Sequence, residues 1–243
     1  MSGGRRSGTT RDAAPEADGE PSEGLQARLQ LMVLTEPQSV RPLAQVVEEC
    51  LAAGATAIQL RDKAATTREL YEQGLELLPS IRRHGALFVV NDRVDVAVAL
   101  EADAVHLGPE DIPIAAARGI APAHLLIGYS TDDPEGGRRA AAAGASYLGV
   151  GAVFGTRSKE GLADEAIGTD RIREVMRASG LPAVGIGGVT PENAAEVAAT
   201  GAGVAVLGAV MRAAEPGDVV RRILETTAGA ARTTRRSVRR RDQ

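Results

Sequence analysis

The chain has 243 residues, 44 % of them hydrophobic but only 2 % aromatic, with 28 glycines, one cysteine and no tryptophan. A core made of Ala, Val, Leu and Ile suits parallel strands covered by helices, and a single cysteine excludes an internal disulfide or a paired-cysteine metal site. Net charge is −4, yet residues 230–243 hold six arginines against one aspartate, +5, which leaves −9 for the rest and argues against a nucleic-acid surface there.

No stretch reaches the ~20 apolar residues of a membrane span, so a cytoplasmic protein is expected. Residues 1–26 are rich in Gly, Ser, Thr, Arg and acidic side chains and read as a disordered leader. A first strand is expected over 29–34 and a helix over 40–53, stopped by Gly54. The unit then recurs: strand 57–60 with helix 67–83, strand 86–90 with helix 94–100, strand 104–107 with helix 113–118. Strand 125–128 precedes helix 134–143, strand 146–150 helix 169–180, strand 183–186 helix 191–200, and strand 203–207 helix 216–226. Cys50, among Val46, Val47 and Leu51, reads as a buried small hydrophobe. Eight such units without a long crossover or a domain break predict a (β/α)₈ TIM barrel over 27–229. The competing fold is a doubly wound sheet. The Arg-rich tail, 230–243, reads as unstructured.

Loops after the strands form the active face of such a barrel, so polar residues at strand ends carry the chemistry. Gln59, Arg61 and Lys63 alternate along an extended segment, and an amide with two cations on one edge suits a polyanion such as pyrophosphate. Asp92 and Asp111 fall on adjacent loops, where two carboxylates repel unless a cation such as magnesium joins them. Alternatively, each caps the helix that follows it. His106 reads equally as a hydrogen-bonded core residue or as a catalytic one. After strand five, a hydroxyl of Ser130 or Thr131 faces a ligand, or Thr131 and Asp132 cap the next helix. The loop 149–161, with glycines, Thr156, Ser158 and Lys159, has the composition of a lid over a phosphate, or alternatively of a disordered or simply exposed surface loop. Gly187 and Gly188 follow strand seven, which itself contains Gly185, with Thr190 and Pro191 expected to start a helix. Together with Gly208 and Ala209 after strand eight, they read as a backbone cradle for a monophosphate.

Taken together, Gln59-Leu60-Arg61-Asp62-Lys63, Val90-Asn91-Asp92-Arg93, Val105-His106-Leu107-Gly108 with Glu110-Asp111, Gly128-x-Ser130-Thr131, Thr156 to Lys159 and Gly185 to Thr190 resemble the thiamine-phosphate synthase family. The resemblance runs from about Leu31 to Leu224. It implies transfer of the hydroxymethylpyrimidine group from its diphosphate to the nitrogen of hydroxyethylthiazole phosphate, giving thiamine monophosphate and pyrophosphate, with Mg²⁺ as cofactor. By resemblance, Gln59, Arg61, Lys63, Asn91 and Lys159 hold the diphosphate, and Asp92 and Asp111 carry the metal. Ser130 lies beside the pyrimidine, and Ser130, Lys159 and Arg61 make up the catalytic set. Thr156, Ser158, Gly188, Gly208 and Ala209 meet the thiazole phosphate. The chain departs from the family pattern at Pro109, Ala152, Gly155 and Gly208. Competing readings are the related thiazole tautomerase, another phosphate-binding barrel isomerase, and a non-catalytic thiamine-phosphate binder. The tautomerase carries its histidine where Asp132 lies here. Expected partners are small molecules, not nucleic acid or membrane, and assembly into a homo-oligomer stays open.

Overall fold

The computed structural model describes residues 21–37, 41–155 and 166–239. Eight parallel strands close into a barrel in chain order, each hydrogen-bonded to the next and β8 to β1. They are β1 Leu31–Leu34, β2 Ala57–Leu60, β3 Leu87–Asn91, β4 Ala104–Leu107, β5 Leu126–Ser130, β6 Tyr147–Val150, β7 Ala183–Gly185 and β8 Gly203–Val206. The outer layer is α2 Leu43–Ala52, α3 Thr67–His84, α4 Val94–Ala99, α5 Ile114–Ile120, α6 Pro134–Ala142, α7 Gly168–Ser179, α8 Ala194–Ala198 and α10 Pro216–Arg239. Two further helices, α1 Pro21–Arg28 and α9 Gly208–Met211, lie at the two ends of the barrel strands. Among the described residues no helix is long and apolar enough to cross a membrane.

Alternation along each strand sorts the core into two shells. Met32, Leu34, Ala57, Leu87, Val89, Ala104, Val184 and Ala205 fill the barrel. Their neighbours, including Val33, Ile58, Leu60, Val90, Leu107 and Ile127, pack outward on the helices. Small alanines inside leave room for Tyr147, the largest side chain buried there. The helices meet the outer shell through stripes such as Leu70, Gly74, Leu77 and Ile81 of α3, each large apolar side chain contributing roughly 1.5–3 kcal/mol on burial. A capping box between Thr66 and Glu69 starts α3, and Gly85 at φ 66° ends it. Gly54, Gly144 and Gly201 turn the expected helix-to-strand joints at positive φ. Cys50 is buried as expected, and its thiol is pushed up to about 12 by desolvation.

Four boundaries differ from expectation. Ordered structure reaches back into the expected leader, because α1 covers the barrel's closed end. Gln26 donates to the Ala183 carbonyl and accepts from the Ala183 N–H, and Leu25 packs on the inner shell. At the other terminus α10 continues to Arg239, ten residues into the expected unstructured tail. The helix after β7 begins at Ala194 rather than Pro191, since Asn193 folds back to accept from the Thr190 N–H and donate to the Gly188 carbonyl. Finally, β3 and β5 run on to Asn91 and Ser130, so both residues stand on strands, not loops.

Candidate active site

The carboxyl ends of β2 to β5 gather charged side chains. Thr35, just beyond β1, clamps the segment after β2: its hydroxyl accepts from the Arg61 N–H at 2.8 Å and donates to the Arg61 carbonyl at 3.0 Å. That bond holds Arg61 at the barrel mouth. Asp62 turns away and accepts from the Ala64 and Ala65 N–H groups, shaping the loop. Lys63 crosses to the next loop, its Nζ 3.9 Å from Asp92 Oδ2. Asp92 sits at φ 63°, a left-handed conformation that non-glycine residues adopt rarely and mostly at special sites. Partial burial, then the Asp111 carboxyl within hydrogen-bonding reach, push Asp92 up to about 6, while Lys63 and Arg61 pull the other way. Asp111 accepts from the Gly108 N–H at 2.6 Å, which folds its loop back toward Asp92.

Neither aspartate caps the helix beyond it: α4 and α5 begin after Arg93 and Pro113 without side-chain caps. The two carboxylates therefore face each other across adjacent loops with two cations beside them. Among the described residues no group of three or more His, Cys, Asp or Glu side chains is arranged to hold a metal. Any ion here would take the rest of its oxygen ligands from elsewhere.

Deeper in the mouth, the register aligns Asn91 with His106, His106 with Gly128, and Gly128 with Tyr147. His106 points into the barrel, where both of its ring nitrogens have hydrogen-bonding neighbours. Its Nε2 lies 2.9 Å from Ser130 Oγ and its Nδ1 3.1 Å from the Tyr147 hydroxyl. Burial lowers it to about 4, with the Asp111 charge opposing, so the ring is neutral at neutral pH. Gln59 is likewise buried inside, its amide against Met32 Sδ at 3.4 Å. At the start of α6 the cap is Asp133, accepting from the Glu135 and Gly136 N–H groups, rather than Thr131 or Asp132.

The opposite side of the mouth is built from backbone. Val153 N–H donates to the Ile186 carbonyl and Phe154 N–H to that of Gly187, so the segment after β6 lies against the one after β7. Gly187 and Gly188 have φ of 96° and 67°, and a Cβ on Gly187 would come within 2.6 Å of Ala152 Cα. Only glycine fits both the conformation and the approach. Beyond β8, Gly208 and Ala209 open α9, a one-turn helix that the strand pattern did not foretell. From its end Arg212 reaches buried Glu36 in a two-pronged ion pair, 2.9 and 3.2 Å, tying the loop after β8 to that after β1.

Arg61, Lys63, Asp92 and Asp111 thus come together, as do Gln59, Asn91 and Ser130 within the same mouth, and Gly188 lies with Gly208 and Ala209 on neighbouring loops. Thr156, Ser158 and Lys159 lie outside the described residues. The sequence reading ended the first strand at residue 34 and gave neither Thr35 nor Tyr147 a role in the site. For Tyr147 the available signal was its inward parity, two residues before Gly149; Thr35 shares the outward parity of Val33, so alternation gave no signal for it.

A closed barrel with a charged, carboxylate-bearing side and a glycine side belongs to the class of (β/α)₈ enzymes that bind phosphorylated small molecules. The thiamine monophosphate synthase family model matches residues 31–210, so the chain belongs to that family. It is 47 % identical over 203 residues to the thiamine-phosphate synthase of Natronomonas pharaonis, covering 83 % of this chain and 95 % of that one. With the Pyrococcus furiosus thiamine-phosphate synthase it shares 44 % identity over 209 residues, 84 % and 99 % of the two chains. The solved structure of thiamine phosphate pyrophosphorylase from Pyrococcus furiosus superposes with a TM-score of 0.78 at 42 % identity, over 85 % of this chain and 98 % of the other.

Proposed function

We propose that this mouth joins hydroxymethylpyrimidine diphosphate to hydroxyethylthiazole phosphate, releasing pyrophosphate and thiamine monophosphate. The observation that carries the proposal in its details is the convergence of Arg61 and Lys63 on the Asp92–Asp111 pair. The bond from the pyrimidine methylene carbon to the diphosphate oxygen breaks with its electron pair on the departing pyrophosphate. The lone pair of the thiazole nitrogen then forms the new C–N bond, so no proton is removed and no strong base is required. Arg61, Lys63 and Lys159 oppose the charge that grows on the leaving group. Gln59 and Asn91 orient the diphosphate-bearing substrate, and Ser130 lies against its pyrimidine. Thr156, Ser158 and the backbone of Gly188, Gly208 and Ala209 take the thiazole phosphate.

Two facing carboxylates fit a magnesium ion, which binds one or two protein carboxylates and completes its shell with substrate phosphate and water. When bound, the ion neutralises charge on the diphosphate. Asp92 and Asp111 would hold it, and a divalent cation would offset both the burial and the Asp111 contact that raise Asp92. A cytoplasmic setting is part of the same reading, since one buried cysteine needs no oxidising compartment.

Incubating the purified protein with both substrates and magnesium yields thiamine monophosphate and pyrophosphate. Absence of product, or equal product with EDTA, rejects the proposal or its metal respectively. Arg61→Ala and Lys159→Ala each cost at least about 2 kcal/mol of transition-state stabilisation; rates within about twofold of the parent remove those roles.

A further inference from the structure

Tyr147, His106 and Ser130 form a hydrogen-bonded chain from the closed interior of the barrel to its open mouth. We infer that this chain has one direction: Tyr147 donates to His106 Nδ1, His106 Nε2–H donates to Ser130, and Ser130 turns its own proton to the ligand. His106 and Tyr147 are then positioning residues, and the subsite beyond Ser130 selects a ligand with a hydrogen-bond acceptor there. On the function proposed above, that acceptor is a ring nitrogen of the pyrimidine.

The direction follows from the buried end. Tyr147 is fully buried, and among the described residues its hydroxyl has no partner besides His106. A phenol that accepted from Nδ1–H would leave its own O–H without an acceptor in an apolar barrel, an arrangement that buried donors avoid. A neutral imidazole offers one donor and one acceptor, so accepting at Nδ1 leaves the proton on Nε2. Ser130 Oγ then accepts the hydrogen bond from Nε2–H, and since no other described group pairs with its hydroxyl, its own O–H is left for the mouth. The packing holds this arrangement in place: a Cβ on Gly128 would stand 2.5 Å from His106 Nδ1, and one on Gly149 3.0 Å from Cε1. Two glycines at these inward positions give the ring its space.

The first test needs no substrate. Long-range ¹H–¹⁵N correlation on protein labelled with ¹⁵N-histidine reads which nitrogen of each of the three histidines is protonated, and His106→Gln assigns the His106 signals. Nε2–H is expected in the parent, with Tyr147→Phe shifting His106 toward the other tautomer. A predominant Nδ1–H form in the parent overturns the inference. The second test reads the ligand end. Tyr147→Phe should raise KM for the pyrimidine diphosphate by about tenfold with kcat within about twofold, while inhibition by inorganic pyrophosphate is unchanged. Unchanged KM, or an equal loss of pyrophosphate inhibition, overturns the positioning role. A parent that shows Nε2–H but makes no thiamine monophosphate upholds the directed chain and rejects the proposed function instead.

Discussion

The two sides of the barrel mouth are constructed by different means. From β2 to β5 the surface is side chain: Arg61, Lys63, Asp92, Asp111, His106 and Ser130, with charge set against charge. From β6 to β8 it is backbone, and glycines let two loops pack against each other. The charged side holds like charges at close range, which costs stability until a ligand or ion arrives. The glycine side is already at rest, its conformation and close packing supporting each other. Activity and stability are therefore expected to move in opposite directions on the first side and together on the second.

The largest effect is expected on the glycine side. Gly187→Ala meets both a positive φ and the Ala152 backbone, and should cost on the order of 4 kcal/mol in urea unfolding, with lost activity. A loss under about 1 kcal/mol would mean the two loops yield freely.

Next comes pH. His106 is lowered to about 4 when folded, so the unfolded chain takes up its proton first as pH falls below about 6.5. Stability contributed by the neutral ring is full above that pH and falls toward pH 4 by roughly 3 kcal/mol. Asp92, raised to about 6, acts in the opposite sense: its charged form costs stability at neutral pH, and that cost is relieved as pH falls from about 6. Urea midpoints measured from pH 7 to pH 4 should therefore decline less steeply in His106→Gln than in the parent. Parallel profiles would contradict the burial of a neutral ring.

Asp92→Asn separates the two properties. Relief of the Asp111 repulsion should raise Tm in metal-free buffer, while kcat/KM falls by roughly 100-fold. A fall in Tm would show that Asp92 serves the fold first. The smallest effect should come from Arg212→Met, which deprives buried Glu36 of its ion-pair partner. Because Arg212 is half exposed, about 1 kcal/mol is expected, read by thermal unfolding.

The sequence alone determined the barrel and most of what lines its mouth. Strand alternation and the strand-helix repeat are local consequences of side-chain size and backbone preference, so the eight units were legible without contacts. Gln59, Arg61, Asp92 and Asp111 were legible for a related reason, because polar groups at the ends of apolar strands have few places to go except the loop face. Whether Asp92 and Asp111 cap helices or face each other was decided only by tertiary structure, through the Gly108 turn and the left-handed backbone at Asp92. The same holds for α1 and α9, the Thr35 clamp on Arg61, and the partners of His106, which come from strands 24 and 41 residues away in the chain. Such contacts depend on barrel closure and register, and no local pattern of residues encodes the distance between two side chains on different strands.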